Sequence, residues 1–213
     1  MGKFSNYIND LNNYIDKNLS FNDPNNLYDP VKYILQNGGK RVRPLFTLFI
    51  SDLFSGKIDN ALPAAASIEI FHNFTLVHDD IMDNAIIRRG TNTINNKWNN
   101  NTAILSGDVM LILSYNLLSN YKDQTYIQLS KELNNTARLV CEGQQYDIDF
   151  SNQKNVQLDE YFKMIELKTA ELIACSFKFG GIVSEASETN IQNLYKIGKN
   201  MGIAFQLEDD YLD

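Results

Sequence analysis

The stretch Phe71-His72-Asn73-Phe74-Thr75-Leu76-Val77-His78-Asp79-Asp80-Ile81-Met82-Asp83 decides how the rest of the chain reads. Asp79 and Asp83 are four residues apart, so on a helix they share one face. Asp80 points about 100° away from them. The residues before them are largely apolar, which sets the carboxylates near the end of a mostly buried helix. Two like charges at that spacing repel, and burial sharpens the repulsion. A divalent cation relieves it, and oxygen-only ligation favours Mg²⁺ over Zn²⁺. The alternative is a solvated acidic helix end.

A second segment repeats the pattern. Phe205-Gln206-Leu207-Glu208-Asp209-Asp210-Tyr211-Leu212-Asp213 again sets two Asp residues four apart, with a middle Asp between them. Two DDxxD motifs, each closing an apolar helical run, form two carboxylate walls if both helices face one cavity. Such walls repel each other and repel anions. They make sense as clamps for several Mg²⁺ ions bridging to a polyanion such as a diphosphate, because the metal charge inverts the local electrostatics.

Two basic clusters supply the opposite charge. Gly38-Gly39-Lys40-Arg41-Val42-Arg43-Pro44 puts three cations on a turn opened by glycines, and Arg88-Arg89-Gly90 follows five residues after Asp83. Arginine offers a fork of donors for phosphate and lysine a point charge. Taken alone, each cluster is equally consistent with a solvated surface.

The whole chain has 213 residues, with 26 acidic and 19 basic side chains and a net charge of −7. An excess of acid argues against nucleic-acid binding, which needs surplus Lys and Arg. No apolar run approaches the roughly 18–20 residues of a membrane helix, so an integral membrane protein is not expected. The N-terminal stretch has no apolar signal core. Cys141 and Cys175 are too few for a disulfide framework, and both sit in apolar company. They read as buried small hydrophobes in a reducing cytoplasm.

Apolar residues recur at helical spacing almost throughout, and period-two alternation is nearly absent. The spacing predicts helices over about 4–18, 28–37, 42–55, 61–84, 102–120, 124–148, 158–182 and 188–213. Pro63 suits a first helical turn. Gly56 and the Gly180-Gly181 pair suit helix ends. Asn92 to Asn101 reads as a loop. The fold class is all-α. A single domain over residues 1–213 is expected, as a bundle of long, mostly antiparallel helices around a central cavity.

In order, GGKRVRP, HDDIMD, RRG and FQLEDDYLD resemble the trans-isoprenyl diphosphate synthases, or polyprenyl synthetases. Gly143-Gln144-Gln145-Tyr146-Asp147 resembles that family's GQxxD, and Lys168-Thr169 its KT pair. The resemblance implies head-to-tail condensation of isopentenyl diphosphate with an allylic diphosphate (dimethylallyl, geranyl or farnesyl), with three Mg²⁺ ions. It implies Asp79, Asp83, Asp209 and Asp213 as metal ligands, supported by Asp80 and Asp210. Lys40, Arg43, His72 and Arg89 would grip isopentenyl diphosphate. Arg88, Lys168 and Gln206 would contact the allylic diphosphate, with Thr169 and Gln206 facing the developing cation. Gln144 and Asp147 would stand near the metals. His78 reads as a structural hydrogen-bonding group rather than a base. A homodimer is implied too.

Phe74, five residues before the first DDxxD, resembles the family's floor of the product tunnel. A large residue there points to a product of fifteen or twenty carbons. The resemblance also implies further C-terminal helices beyond Asp213, so a truncated chain is expected. Its alternative functions are an inactive or regulatory subunit that binds diphosphate without turnover, a terpene cyclase, and a plain helical bundle with acidic helix ends.

Overall fold

The computed structural model describes residues 2–19, 21 and 23–212. Its secondary structure is helical apart from one two-stranded ribbon, as the apolar periodicity requires. The chain forms two compact units. One is drawn from Met1–Leu45 and Leu62–Asn120, the other from Phe46–Ala61 and Tyr121–Asp213.

The first unit holds α1 (Gly2–Asn18), α2 (Asn25–Gln36), α4 (Leu62–Met82), the hairpin β1 (Ile87–Arg88) and β2 (Thr91–Asn92), α5 (Ile94–Lys97) and α6 (Asn100–Leu118). α4 and α6 form its main packing pair. Ala64, Ala65 and Ala66 are fully buried on α4, and Ile68, Glu69, Ile70 and Phe71 continue the burial. A helix buried nearly all round carries no polar stripe, so α4 is the central element of this unit. α4 begins at Leu62 with Pro63 second, where a missing N–H costs nothing. Asn99 caps α6 by accepting the Thr102 backbone N–H at 2.9 Å.

α3 (Val42–Ser55) runs from the first unit into the second. It stops at Gly56, whose φ of +66° favours a residue without Cβ. The second unit continues with a 3₁₀ turn (Ile58–Ala61), α7 (Asp123–Phe150), α8 (Leu158–Ile165), a π turn (Glu166–Ala170), α9 (Glu171–Val183) and α10 (Glu188–Leu212). Phe46, Ile50, Ile173, Phe177 and Leu194 pack together in its core. Gln157 and Glu160 close a reciprocal capping box at the start of α8.

All eight expected helices are present. Four sequence expectations are corrected. Asn92–Asn101 is not a plain loop, because α5 and the first residues of α6 fall within it. Gly180 and Gly181 do not end a helix; they lie inside α9. A Cβ on Gly180 would stand 2.7 Å from the Thr47 carbonyl oxygen and the Ile50 side chain, so this glycine serves close packing. Cys141 is exposed on α7, whereas Cys175 is buried as expected. The expected continuous helix over 158–182 is broken by the π turn, an i→i+5 irregularity that hydrophobic periodicity does not register.

Candidate active site

Each unit carries one of the acidic segments. In the first, Asp79 and Asp80 occupy the last turn of α4 and Asp83 follows its final residue, Met82. The Asp83 N–H still donates to the Asp79 carbonyl at 2.9 Å. Asn84 then takes a left-handed φ of 51°, and the Ala85 N–H reaches back to the Asp80 carbonyl at 2.9 Å, closing the helix. This is an unfavourable place for three carboxylates, because the helix dipole is negative there. Arg88, returned by the hairpin, offsets it. Its Nε donates to Asp80 Oδ1 at 2.6 Å and its NH2 to Asp79 Oδ2 at 3.3 Å. The Asp80 side chain is 2% exposed. Burial pushes its carboxyl above the ordinary value, Arg88 acts in the opposite direction, and Asp79 and Asp83 push it up further. Asp79 is half-buried and Asp83 exposed.

The two basic clusters meet in the same unit. Gly38 and Gly39 have φ of +76° and +127°, and the Arg89 NH1 donates to the Gly38 carbonyl at 2.7 Å. A Cβ on Gly39 would lie 2.7 Å from Arg89 NH1, so glycine admits the guanidinium here. Arg43 NH1 stands 3.2 Å from His72 Nε2. Arginine can only donate, so His72 Nε2 accepts and its Nδ1 carries the proton. Burial holds the His72 imidazole well below its ordinary value, and the charges of Arg43, Arg89, Arg88 and Arg41 add to this. A neutral His72 therefore lies within a cluster of arginines. Lys40 is exposed beside it on the turn.

Arg41 has a different job from its neighbours. It is buried with a φ of 49°, pairs with Glu69 and donates to the Leu35 carbonyl. Asn73 also donates to Glu69, at 2.6 Å. Sequence reading passed over Glu69 and Asn73; an acid amid an apolar run was the available signal. His78 sits against Phe74, ring centroids 4.9 Å apart, with Nε2 3.3 Å from the Ile104 carbonyl. A Cβ on Gly107 would strike that imidazole at 2.3 Å.

In the second unit the π turn presents Lys168 and Thr169. Lys168 Nζ contacts Asp147 Oδ2 at 2.5 Å, and the Thr169 hydroxyl donates to Gln206 Oε1 at 2.9 Å. Gln206 in turn donates to Asp210 Oδ1 at 2.7 Å, and Asp210 also accepts from the Tyr161 hydroxyl. Partial burial and the Asp210 carboxylate push the Tyr161 phenol up to about 12. Gln144 is half-buried on α7, and Asp209 is exposed on α10. Asp213 lies outside the described residues. Tyr161 is a further group that sequence reading missed, since no motif marks it.

Among the described residues, no group of three or more His, Cys, Asp or Glu side chains is gathered tightly enough to hold a metal unaided. The donor set nonetheless fits Mg²⁺. That ion is usually bound by one or two carboxylates, with waters and substrate phosphates completing its shell. Also among the described residues, no helix is long and apolar enough to cross a membrane.

Comparison with known proteins identifies the family. The polyprenyl synthetase family profile matches residues 24–213. A geranylgeranyl diphosphate synthase of Saccharolobus solfataricus is 38% identical over 213 residues, covering 98% of this chain and 64% of that protein. One from Methanosarcina mazei is 37% identical over 201 residues, covering 93% of this chain and 62% of the other. A crystal structure of geranylgeranyl pyrophosphate synthase superposes with a TM-score of 0.97 at 44% identity, covering 100% of this chain and 65% of that one. The enzyme from the archaeon Geoglobus acetivorans gives 0.95 at 33% identity, with 99% and 69% covered. The chain thus spans somewhat under two thirds of the curated relatives named here. With motifs, fold and matched length in agreement, the chain belongs to the polyprenyl synthetase family.

Proposed function

We propose that this protein is a trans-prenyltransferase that condenses isopentenyl diphosphate with an allylic diphosphate to give a prenyl diphosphate of fifteen or twenty carbons. The observation that carries this reading is the cradle in the first unit. Two sequence-distant basic motifs meet through Arg89 and Gly38, beside a neutral His72 and next to the acidic end of α4. An overall acidic chain has little reason to gather these cations except to hold an anion.

In this reading Lys40, Arg43, His72 and Arg89 bind the diphosphate of isopentenyl diphosphate. Asp79 and Asp83 would hold Mg²⁺ for the allylic diphosphate, and Asp209 and Asp213 would do so from the second acidic segment, three ions being expected. Mg²⁺ held by these carboxylates would supply neutralisation of the charge that develops on departing pyrophosphate. The allylic carbon–oxygen bond breaks, the double bond of isopentenyl diphosphate attacks the allylic cation, and the new cation loses a proton to pyrophosphate. Arg88, Lys168 and Gln206 orient the allylic diphosphate. The Thr169 hydroxyl and the Gln206 amide present dipoles to the cation. Asp80 and Asp210 hold these groups in position, as do Gln144 and Asp147. Phe74 closes the product tunnel, braced by His78. The same reading makes the protein a cytoplasmic homodimer to which residues 1–213 contribute a helical domain, and its two free cysteines suit a reducing compartment.

The test is radiolabelled isopentenyl diphosphate with Mg²⁺ and five-, ten- or fifteen-carbon allylic primers, with products resolved by length. Mg²⁺-dependent products of fifteen or twenty carbons are expected. Diphosphate binding without turnover would point to a regulatory subunit. Absence of both turnover and any Mg²⁺- and diphosphate-dependent thermal shift would overturn the reading. Phe74→Ala should lengthen the product, and an unchanged product spectrum would reject the floor assignment.

A further inference from the structure

The π turn is an energetically poor helical form that needs an outside cause. It is confined by backbone on two sides. A Cβ on Gly143 of α7 would lie 2.3 Å from the Lys168 nitrogen, and one on Gly202 of α10 would lie 2.5 Å from the Ala170 Cα. These glycines leave room for the turn but do not select it over an ordinary helical register. A group of charges stands against both ends of the turn. Lys199 of α10 places Nζ 2.8 Å from Glu166 Oε1, at the first residue of the turn, and 3.8 Å from Glu171 Oε1, just past its end. The Tyr195 hydroxyl, one turn earlier on α10, reaches both Glu171 oxygens at 2.9 and 3.1 Å. Glu171 is 3% exposed, so these contacts are its means of being buried at all.

The spacing of the two acids makes this group specific for the π register. Residues five apart on an α-helix point about 140° away from each other, too far for one ammonium to reach both. In the π turn the Glu171 N–H closes onto the Glu166 carbonyl, which brings the two residues closer in angle than an α-helix does. Only then can Lys199 bridge them. Lys163 adds a weaker contact to Glu166 at 3.7 Å.

We propose that Lys199, with Glu166, Glu171 and Tyr195, is a clamp of positioning residues that holds the π turn, and through it aims Lys168 at Asp147 and Thr169 at Gln206. In the α register, residues within and after the turn shift by up to one position, about 100° around the axis. Thr169 then leaves Gln206 and Lys168 leaves Asp147. The link to catalysis rests on the prenyltransferase reading; the clamp itself does not.

The test is amide hydrogen exchange of the ligand-free full chain, comparing wild type with Lys199→Met, Lys199→Arg and Glu166→Gln. Lys199→Met should speed exchange over residues 167–172 by about tenfold while α7 exchanges as before, and Lys199→Arg should restore most of the protection. Glu166→Gln breaks the shorter contact at a half-exposed site and should produce the same local effect if Lys199→Met does not fold. Unchanged exchange over 167–172 in a folded Lys199→Met or Glu166→Gln protein overturns the clamp. In the condensation assay Lys199→Met should lower kcat by about tenfold with the KM for isopentenyl diphosphate unchanged, since that substrate is assigned to other residues. An inactive wild type without any Mg²⁺- and diphosphate-dependent thermal shift, but with the exchange pattern intact, would sink the prenyltransferase reading and leave the clamp standing.

Discussion

The two acidic segments share a sequence pattern and differ in how the protein holds them. At the end of α4 the middle residue, Asp80, is buried and bound by a cation, Arg88. At the end of α10 the middle residue, Asp210, is exposed and held by the neutral donors Gln206 and Tyr161. In both, the middle Asp is tied to neighbouring side chains, and at α4 the outer Asp79 shares the same Arg88 guanidinium. The α4 segment is a firmly held seat, with Arg88 offsetting part of its charge. The α10 segment is a solvated one, tied to the π turn through Gln206. An identical motif thus leaves the surrounding elements to decide how firmly a carboxylate is placed.

The comparison is broken most severely at the proposed metal ligands. Asp79→Ala should lower turnover by about a thousandfold or more, since a lost Mg²⁺ position removes several kcal/mol of charge stabilisation. Asp209→Ala, on the solvated segment, should cost about tenfold less. Equal losses in steady-state kcat would show that rigidity of the seat is irrelevant.

Stability separates the segments next. Arg88→Met strands a buried Asp80 and should destabilise the fold by about 3 kcal/mol, measured by urea unfolding. Tyr161→Phe removes one exposed contact and should change stability by under about 1 kcal/mol. Comparable values would mean that burial of the middle Asp contributes nothing.

A smaller effect lies in pH. The folded protein holds His72 neutral, with its affinity for a proton depressed, while the unfolded chain protonates near the usual value of about 6.5. Below that value the unfolded state binds more protons, so stability falls as pH falls, by up to about 1.4 kcal/mol per unit. His72→Gln should remove this part of the slope between pH 6.5 and 5.5. Taking the difference between wild type and variant cancels the opposite contribution of Asp80, whose raised value favours the folded state on acidification. Identical slopes would show that the arginine cradle tolerates a charged imidazole.

Much of the fold was legible because its cause is local. Helical periodicity located the eight long helices, Gly56 marked the end of α3, and paired carboxylates and clustered arginines stood out as residue types. What escaped reading depends on partners far away in sequence. Arg41 and Arg43 are two residues apart in one basic motif, yet Arg41 is consumed by a buried pair with Glu69 while Arg43 meets His72. Gly180 resembles a helix terminator until Thr47 and Ile50 are seen against it. Cys141 lies in apolar company along the chain but on the outer face of α7 in space.

By itself the sequence determined the helical class, the order of the motifs and the charges available for chemistry, since propensity, spacing and ionisation belong to residue types. Tertiary structure alone decided which arginine is structural, which Asp is buried and where a helix yields to a π turn. Each of those outcomes is a balance between desolvation and pairing, and the pairing partner is supplied by another part of the fold.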